Sequence, residues 1–289
     1  MNIPIIVYHL GYRNYVPLCM KQALKYNKNV ILITDNVEKY KEIKGLTLVD
    51  SNKYVEKINN FQKLYIHLSG NSRMLELLCI IRWFVVQEYM SEKNIERAFI
   101  CDSDVLIYDN ISKLNNKYLK EYPFMLCSSP SKNLTGGQSV WNLSELEKFV
   151  KFAFNFYENQ GNRTNMIEWY SENKSKGGIC DMTLLYYFAH NETKFKGLRL
   201  PNYPTFKMEL NQIFENKFTF DLHMDSAGNH EYPEDWEMIE RGSKNIKYID
   251  NLPYCYNKRL DKDVRFTLLH FQGRNKAIMG EYYNKTNSL

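Results

Sequence analysis

Asp102 and Asp104 stand one residue apart in the run Ala98-Phe99-Ile100-Cys101-Asp102-Ser103-Asp104-Val105-Leu106-Ile107-Tyr108-Asp109, and they are the first residues from which chemistry can be read. Two carboxylates that close do not both stay ionised comfortably unless a cation neutralises them. Hard divalent cations such as Mg²⁺ or Mn²⁺ take a few carboxylate oxygens and leave their other positions to water or substrate phosphate. Ala98 to Cys101 has the length and composition of a buried strand in a parallel sheet, and a second apolar run, Val105 to Tyr108, follows at once. In an open α/β sheet the carboxyl ends of the strands are where ligands bind. Asp-Ser-Asp is also good turn chemistry, but apolar residues pressed against both sides favour a metal-diphosphate site over a surface turn.

A second constellation lies near the other end of the chain, where an apolar strand expected over 265–269 runs into His270-Phe271-Gln272-Gly273-Arg274-Asn275-Lys276. A lone histidine is ordinarily a satisfied structural residue. Here Gly273 lets backbone approach a phosphate, and Lys276 brings positive charge to a leaving diphosphate.

Further candidates are scattered between the two. Tyr8, His9 and Asp35 fall at the carboxyl ends of the first two expected strands, where a nucleoside could rest; Asp35 reads equally as a helix cap or turn residue. Arg82 falls inside an apolar helical stripe over 74–90, so it must be paired or ligand-bound: with Glu76 or another core acid, or with a nucleotide. Arg73, Ser69 and Asn71 are looser candidates for nucleotide contact. Gly136 and Gly137, ahead of Gln138 and Ser139 in an expected loop over 129–138, would let backbone come close to a ligand and offer amide donors. Asp181 opens a helix expected over 182–189 behind Lys176-Gly177-Gly178, and is either its N-cap or a catalytic carboxylate. Asp221, His223 and Asp225 alternate along a possible strand; they bind an acceptor hydroxyl or are simply loop polarity.

The elements that must position these residues are those of an α/β protein. A strand over 3–10, a helix over 15–26 and a strand over 30–34 make a β-α-β unit, the building block of a parallel sheet. The single Gly11 in its first turn excludes the Gly-rich dinucleotide fingerprint. A short third strand is expected over 46–49, a strand over 123–128, and a helix over 144–157 with Ser144 as N-cap and Glu147 at the capping-box position. Residues 200–250, broken by Pro201, Pro204 and Pro233, read as hairpins and loops over the site.

The 289 residues suffice for one large α/β domain, and 44% hydrophobic and 25% charged content is ordinary for a globular chain. Aromatic content of 15%, with 22 Tyr, suits a carbohydrate-handling surface, though a Tyr-rich core explains it as well. The net charge of +5 comes from scattered Lys, and no basic run is long enough for a nucleic-acid or membrane patch. The six cysteines form no CxxC pair or zinc spacing and read as reduced, buried residues of a cytoplasmic protein. The first residues, Met1 to Val7, read as a first strand and not a signal peptide, and no apolar run approaches membrane-spanning length. Asn-x-Ser/Thr triplets, for example at Asn133 and Asn191, are expected by chance in an Asn-rich chain.

Taken in order, the two motifs resemble those of the GT-A-fold glycosyltransferases, which use nucleotide-sugar donors. Asp102-Ser103-Asp104 is similar to their DxD motif in its usual setting, and His270, Gly273 and Lys276 match the HxxGxxK closing motif of the glycogenin-like and galactosyltransferase-like branch; the Pro-Trp that often follows is Ala277-Ile278 here. The opening strand-helix-strand and the Arg82-Trp83 helix also look like the family. The resemblance implies a single GT-A domain over 1–289: a Rossmann-like, mostly parallel sheet flanked by helices, with 1–110 as the nucleotide-binding half and 111–289 as the acceptor-binding half. It implies that Asp102, Asp104 and His270 hold Mn²⁺ or Mg²⁺. Tyr8, Asp35, Arg82, Asp102, Ser103, Gly273 and Lys276 would contact the nucleotide, and Gly137, Gln138 and Asp221 the sugars. Asp181 would be the base of an inverting reaction, or would orient the sugar in a retaining one. The implied partners are a nucleotide sugar, UDP-linked by the habit of the closing motif, and a glycan or small-molecule acceptor, with cell-surface polysaccharide assembly as the family's general setting. Two rival readings are a haloacid-dehalogenase-like phosphatase, which also places Asp-x-Asp after an apolar strand, and a non-catalytic nucleotide- or carbohydrate-binding relative. The phosphatases start with that strand and carry a later Gly-Asp-x-x-x-Asp run that is missing here.

Overall fold

The computed structural model describes residues 2–128, 134–173, 178–190, 209–225, 235–240 and 242–287. Asn133, Lys176, Gly177, Asn191, Pro201, Pro204 and Pro233 lie outside the described residues. In chain order the elements are β1 Ile5–Tyr8, α1 Val16–Tyr26, β2 Val30–Thr34, α2 Val37–Tyr40, β3 Leu46–Asp50, α3 Val55–Leu64, α4 Arg73–Glu92, β4 Arg97–Cys101, β5 Val105–Ile107, α5 Ile111–Leu114, β6 Phe124–Ser128, β7 Leu134–Asn142, α6 Leu143–Glu158, α7 Gln160–Asn173, α8 Asp181–His190, β8 Phe218–Thr219, β9 Lys247–Ile249, β10 Leu252–Asn257, β11 Lys262–Phe266, β12 Leu268–His270 and α9 Met279–Lys285.

The centre is a six-stranded sheet in the order β3-β2-β1-β4-β7-β6. β3, β2, β1 and β4 run parallel, while β7 is antiparallel to both β4 and β6. Both faces are covered, as strands of near-continuous apolar residues require. Alternate residues of β1, β2 and β4 feed two separate cores: Ile5, Val7, Val30, Leu32, Phe99 and Cys101 on one side, Ile6, Ile31, Ile33, Ala98 and Ile100 on the other. On the first side α1 packs with Val16, Cys19, Met20 and Ala23, the i, i+3, i+4, i+7 stripe of an amphipathic helix. On the second side lies α4 with Leu77, Ile80, Ile81 and Phe84, backed by α6 and α8. The expected mixed α/β architecture with a mostly parallel central sheet is the one observed.

A smaller four-stranded sheet, β8-β11-β10-β9, packs on the first core, and β12 pairs antiparallel with β5. The single strand expected over 265–269 is therefore two. β11 ends at Phe266; Thr267 donates its N–H to Thr219 O (2.9 Å) and accepts from Tyr108 N–H (2.8 Å), and the chain crosses to β5. Two other boundaries differ from expectation. Gly136 to Gln138 lie inside β7, in the middle of the sheet, and not in a loop. The helix expected from Ser144 starts at Leu143, because β7 runs straight into it: Leu143 N–H is held by Glu96 O at 2.8 Å, and Asn142 Oδ1 accepts from Arg97 instead of capping.

Candidate functional site

Going from β1 to β2 to β3 the sheet grows in one direction, and β4 is added on the other side of β1. The carboxyl ends of β1 and β4 thus flank the point where the strand order reverses, the place where an open α/β sheet leaves a crevice for a ligand. Tyr8 and His9 leave β1 there, and Asp102 to Asp104 leave β4. Ser103 Oγ and His9 Nδ1 are 2.8 Å apart, tying the two ends together.

The β5–β12 ribbon brings in the far end of the chain. Its register sets His270 opposite Val105, next to Asp104, and Phe271 N–H donates to Asp104 O at 2.9 Å. His270 Nε2 then lies 3.4 Å from Asp104 Oδ1 and 3.6 Å from Asp102 Oδ2. The two motifs meet.

Lys276 Nζ reaches Asp104 Oδ2 at 3.1 Å from the other side. Asp104 and His270 are buried, whereas the Asp102 side chain keeps 31% of its surface exposed, so the cluster opens to solvent through Asp102. His270 Nδ1 donates to Leu222 O at 2.8 Å, which turns Nε2 towards the acids. That Nε2 is buried and makes no hydrogen bond among the described residues. Facing two carboxylates, it could join them in holding a divalent cation: one His and two acid ligand atoms lie within 4.8 Å of one another. Gly137 leaves the room. A Cβ there would sit 2.8 Å from Asp102 Oδ2 and 3.0 Å from His270 Cε1.

The electrostatics follow the geometry. Burial alone would lower the His270 pKa, but the facing Asp104 charge outweighs it and lifts it to about 9. Burial would raise Asp104, yet His270 and Lys276 hold it far below the usual carboxylate range. In the metal-free protein the site is thus a carboxylate clamped between two cations.

A second ion-paired row lies beside this one. Arg82, from the middle of α4, bonds Asp102 Oδ1 through one terminal nitrogen and Asp181 Oδ2 through the other, the latter at 2.7 Å. Of the partners expected for Arg82, another core acid is the one observed; Glu76 accepts from Ser69 Oγ (2.8 Å) and Asn71 Nδ2 (2.7 Å) at the start of the helix. The guanidinium also stacks 4.7 Å from the Trp83 ring centre. Asp181 is the first residue of α8, fully enclosed, and its pKa is raised because burial outweighs the pull of Arg82. Its Oδ1 accepts from Met182 N–H at 2.9 Å.

The remaining expected residues divide. Tyr8 is half-buried at the crevice, and its hydroxyl makes no hydrogen bond among the described residues. Asp35 is exposed and accepts from Gly11 N–H at 2.6 Å. Gly273 adopts φ +62° with open space around it, the conformation only glycine takes freely, at the turn from His270 to Lys276. Gln138 and Asp221, expected as sugar contacts, do not face the cluster's opening. Gln138 is wholly buried and its Oε1 accepts from the Cys127 thiol at 3.1 Å. Asp221 is wholly buried, with Oδ1 held by Lys244 Nζ at 2.7 Å and Oδ2 by His270 N–H at 2.9 Å. Lys244 carries no signal in the sequence, where it is one more polar residue of the hairpins and loops expected over 200–250.

No protein-family model matches the sequence, and no curated protein matches it. Among solved structures, mouse xyloside xylosyltransferase 1 in its apo form is similar at TM-score 0.43 and 11% identity, covering 59% of this chain and 77% of that one. The galactosyltransferase LgtC, solved with donor and acceptor sugar analogs, is similar at TM-score 0.40 and 14% identity, covering 63% and 69%. A cytidylyltransferase from Leptospira borgpetersenii is similar at TM-score 0.35 and 13% identity, covering 61% and 74%. At this level of likeness the chemistry has to come from the site's own geometry. Among the described residues no helix is long and apolar enough to cross a membrane.

Proposed function

We propose that this protein is a metal-dependent glycosyltransferase of the GT-A type that moves a sugar from a nucleotide sugar, UDP-linked, to a hydroxyl of a glycan or small-molecule acceptor. The observation that carries the reading is the convergence of Asp102, Asp104, His270 and Lys276 at the strand-order reversal, from motifs at opposite ends of the sequence. Asp102, Asp104 and His270 would hold Mn²⁺ or Mg²⁺. When bound there, the cation supplies Lewis-acid charge against the departing diphosphate.

The chain's own residues do the rest. Tyr8, Ser103 and Asp35 border the nucleoside's place at the ends of β1, β2 and β4. Lys276 and the backbone at Gly273 face the diphosphate, and Lys276 adds a fixed positive charge as the bond to the anomeric carbon breaks. Arg82 holds Asp102 and Asp181 in one row, so the sugar would lie between the metal ligands and α8. In an inverting reaction Asp181 takes the proton of the attacking hydroxyl, and its raised pKa suits a base; in a retaining one it orients the sugar.

Donor hydrolysis tests this. Incubated with UDP-sugars and Mn²⁺, the wild-type protein should release UDP, and EDTA should abolish the release. Hydrolysis of simple phosphomonoesters through an aspartyl-phosphate, with no UDP release, would replace this reading by the phosphatase one.

A further inference from the structure

Beneath the site lies a buried polar layer that the chemistry above does not use. Lys244 is 1% exposed and Asp221 0%, and their side chains pair at 2.7 Å. The Lys244 ammonium also donates to His223 O, and its backbone N–H donates to Met224 O at 2.8 Å. The segment it braces, Asp221 to Met224, grips His270 at three atoms. Asp221 Oδ2 accepts the His270 backbone N–H at 2.9 Å, Leu222 O accepts Nδ1–H at 2.8 Å, and Met224 N–H donates to His270 O at 3.0 Å. One residue further on, Asp225 Oδ2 accepts from Arg274 Nε (3.1 Å) and Asn275 Nδ2 (2.9 Å), fixing the turn that carries Gly273 and Lys276.

A buried ion pair is weak evidence for stability, since apolar replacements of similar volume are often as stable or more so. Its use has to be sought in what it orients. A ligating histidine depends on the group that holds its other ring nitrogen, and loss of such a support typically costs about 10–100-fold in metal affinity. We infer that Lys244 and Asp221 are positioning residues that lock the 221–225 segment against His270 and so aim His270 Nε2 between Asp102 and Asp104. This rests on the reading of those three residues as a metal site.

Two measurements on the full chain test it. The first is Mn²⁺ affinity by calorimetry. The second is the exchange rate of the His270 Nδ1–H in metal-free, ¹⁵N-histidine-labelled protein, the signal being assigned by its loss in His270→Ala. The apolar double variant Asp221→Leu/Lys244→Met should fold with a melting temperature near wild type. It should nevertheless bind Mn²⁺ about 10-fold or more weakly and exchange the Nδ1–H at least tenfold faster. Asp221→Asn, which keeps shape and an acceptor for the His270 N–H, gives the conservative comparison: its losses in both readouts should be smaller. It also serves as the decisive variant if the double substitution does not fold. A folded double variant with Mn²⁺ affinity within twofold of wild type and unchanged Nδ1–H exchange overturns the inference. A wild type that protects the Nδ1–H but binds no Mn²⁺ overturns the metal reading instead, and the exchange comparison still decides the positioning.

Discussion

Asp104 is the residue on which both halves of the site close. Its Oδ1 faces His270 and its Oδ2 faces Lys276, while its carbonyl receives the Phe271 N–H. Asp104→Asn keeps the shape and removes the charge, so it should lower kcat/KM for UDP-sugar hydrolysis by about 10²–10³, the usual effect of losing one preorganised electrostatic partner. In the metal-free protein the same cluster makes a pH prediction. The His270 pKa, raised to about 9 by the Asp104 charge, lies above the ordinary value of 6.5. The folded state therefore binds the proton more tightly than the unfolded one, and this contribution to stability is complete below pH 6.5 and is lost as pH rises through about 9. EDTA-treated wild type should lose melting temperature across that window faster than His270→Ala does. Equal slopes would show that the imidazolium is not held by Asp104. The roles readable from residue type and spacing alone were those of side chains at strand ends. Arg82 was recognisable as a charge needing a partner, but which acid it meets depends on how α4 packs against β1 and α8, and no spacing encodes that. Asp221 was singled out as a sugar contact but not as a buried partner of Lys244, and Lys244 not at all, for a related reason: each looks like ordinary loop polarity until a fold buries it.

At the scale of elements, β7 shows where local pattern fails. Its register against β6 shifts between the pairs Leu126–Ser139 and Cys127–Thr135, an irregularity of the kind found beside active sites, and Gly136 and Gly137 lie inside the shift. Glycine is depleted in strands, so Gly136-Gly137 reads as loop. Neither glycine has a positive φ, so what each supplies is room. A Cβ on Gly136 would lie 2.1 Å from Trp83 Cζ2, and that ring is wedged between Trp141 and Phe149 at 5.7 and 5.6 Å. A Cβ on Gly137 would press on Asp102 and His270. The two alanine variants should therefore separate. Gly136→Ala overpacks the core and should lose at least ~1–3 kcal/mol in urea unfolding, with Mn²⁺ affinity little changed in the folded fraction. Gly137→Ala should melt near wild type yet weaken Mn²⁺ binding. Loss of stability in both, with Mn²⁺ binding intact in Gly137→Ala, would mean that the space beside Asp102 is not a ligand's.

For the molecule as a whole, what is local in the chain was legible and what is distant was not. The β1-α1-β2 unit follows from apolar periodicity within thirty-odd residues, and its parallel pairing was expected. The β5–β12 ribbon joins the middle of the chain to its end, and only the chemistry of the two motifs hinted that they meet. That long-range closure makes the site an integral part of the fold, because any ligand gripped by Asp102, Asp104, His270 and Lys276 ties β4 to the last strand. Binding then stabilises the folded state by mass action. At a ligand concentration of about 100 Kd the gain is about 2.7 kcal/mol. For a domain of this size each kcal/mol raises the melting temperature by roughly 2 °C, so saturating UDP with Mn²⁺ should raise it by about 5 °C. Mn²⁺ alone should give a smaller rise, and UDP with EDTA none, since without the metal nothing links the carboxylates to the diphosphate and Lys276 and His270 stay paired with Asp104. His270→Ala should erase the combined shift while leaving the protein folded. A full shift by UDP in EDTA, or an undiminished one in His270→Ala, would place the nucleotide somewhere other than the reversal point between β1 and β4.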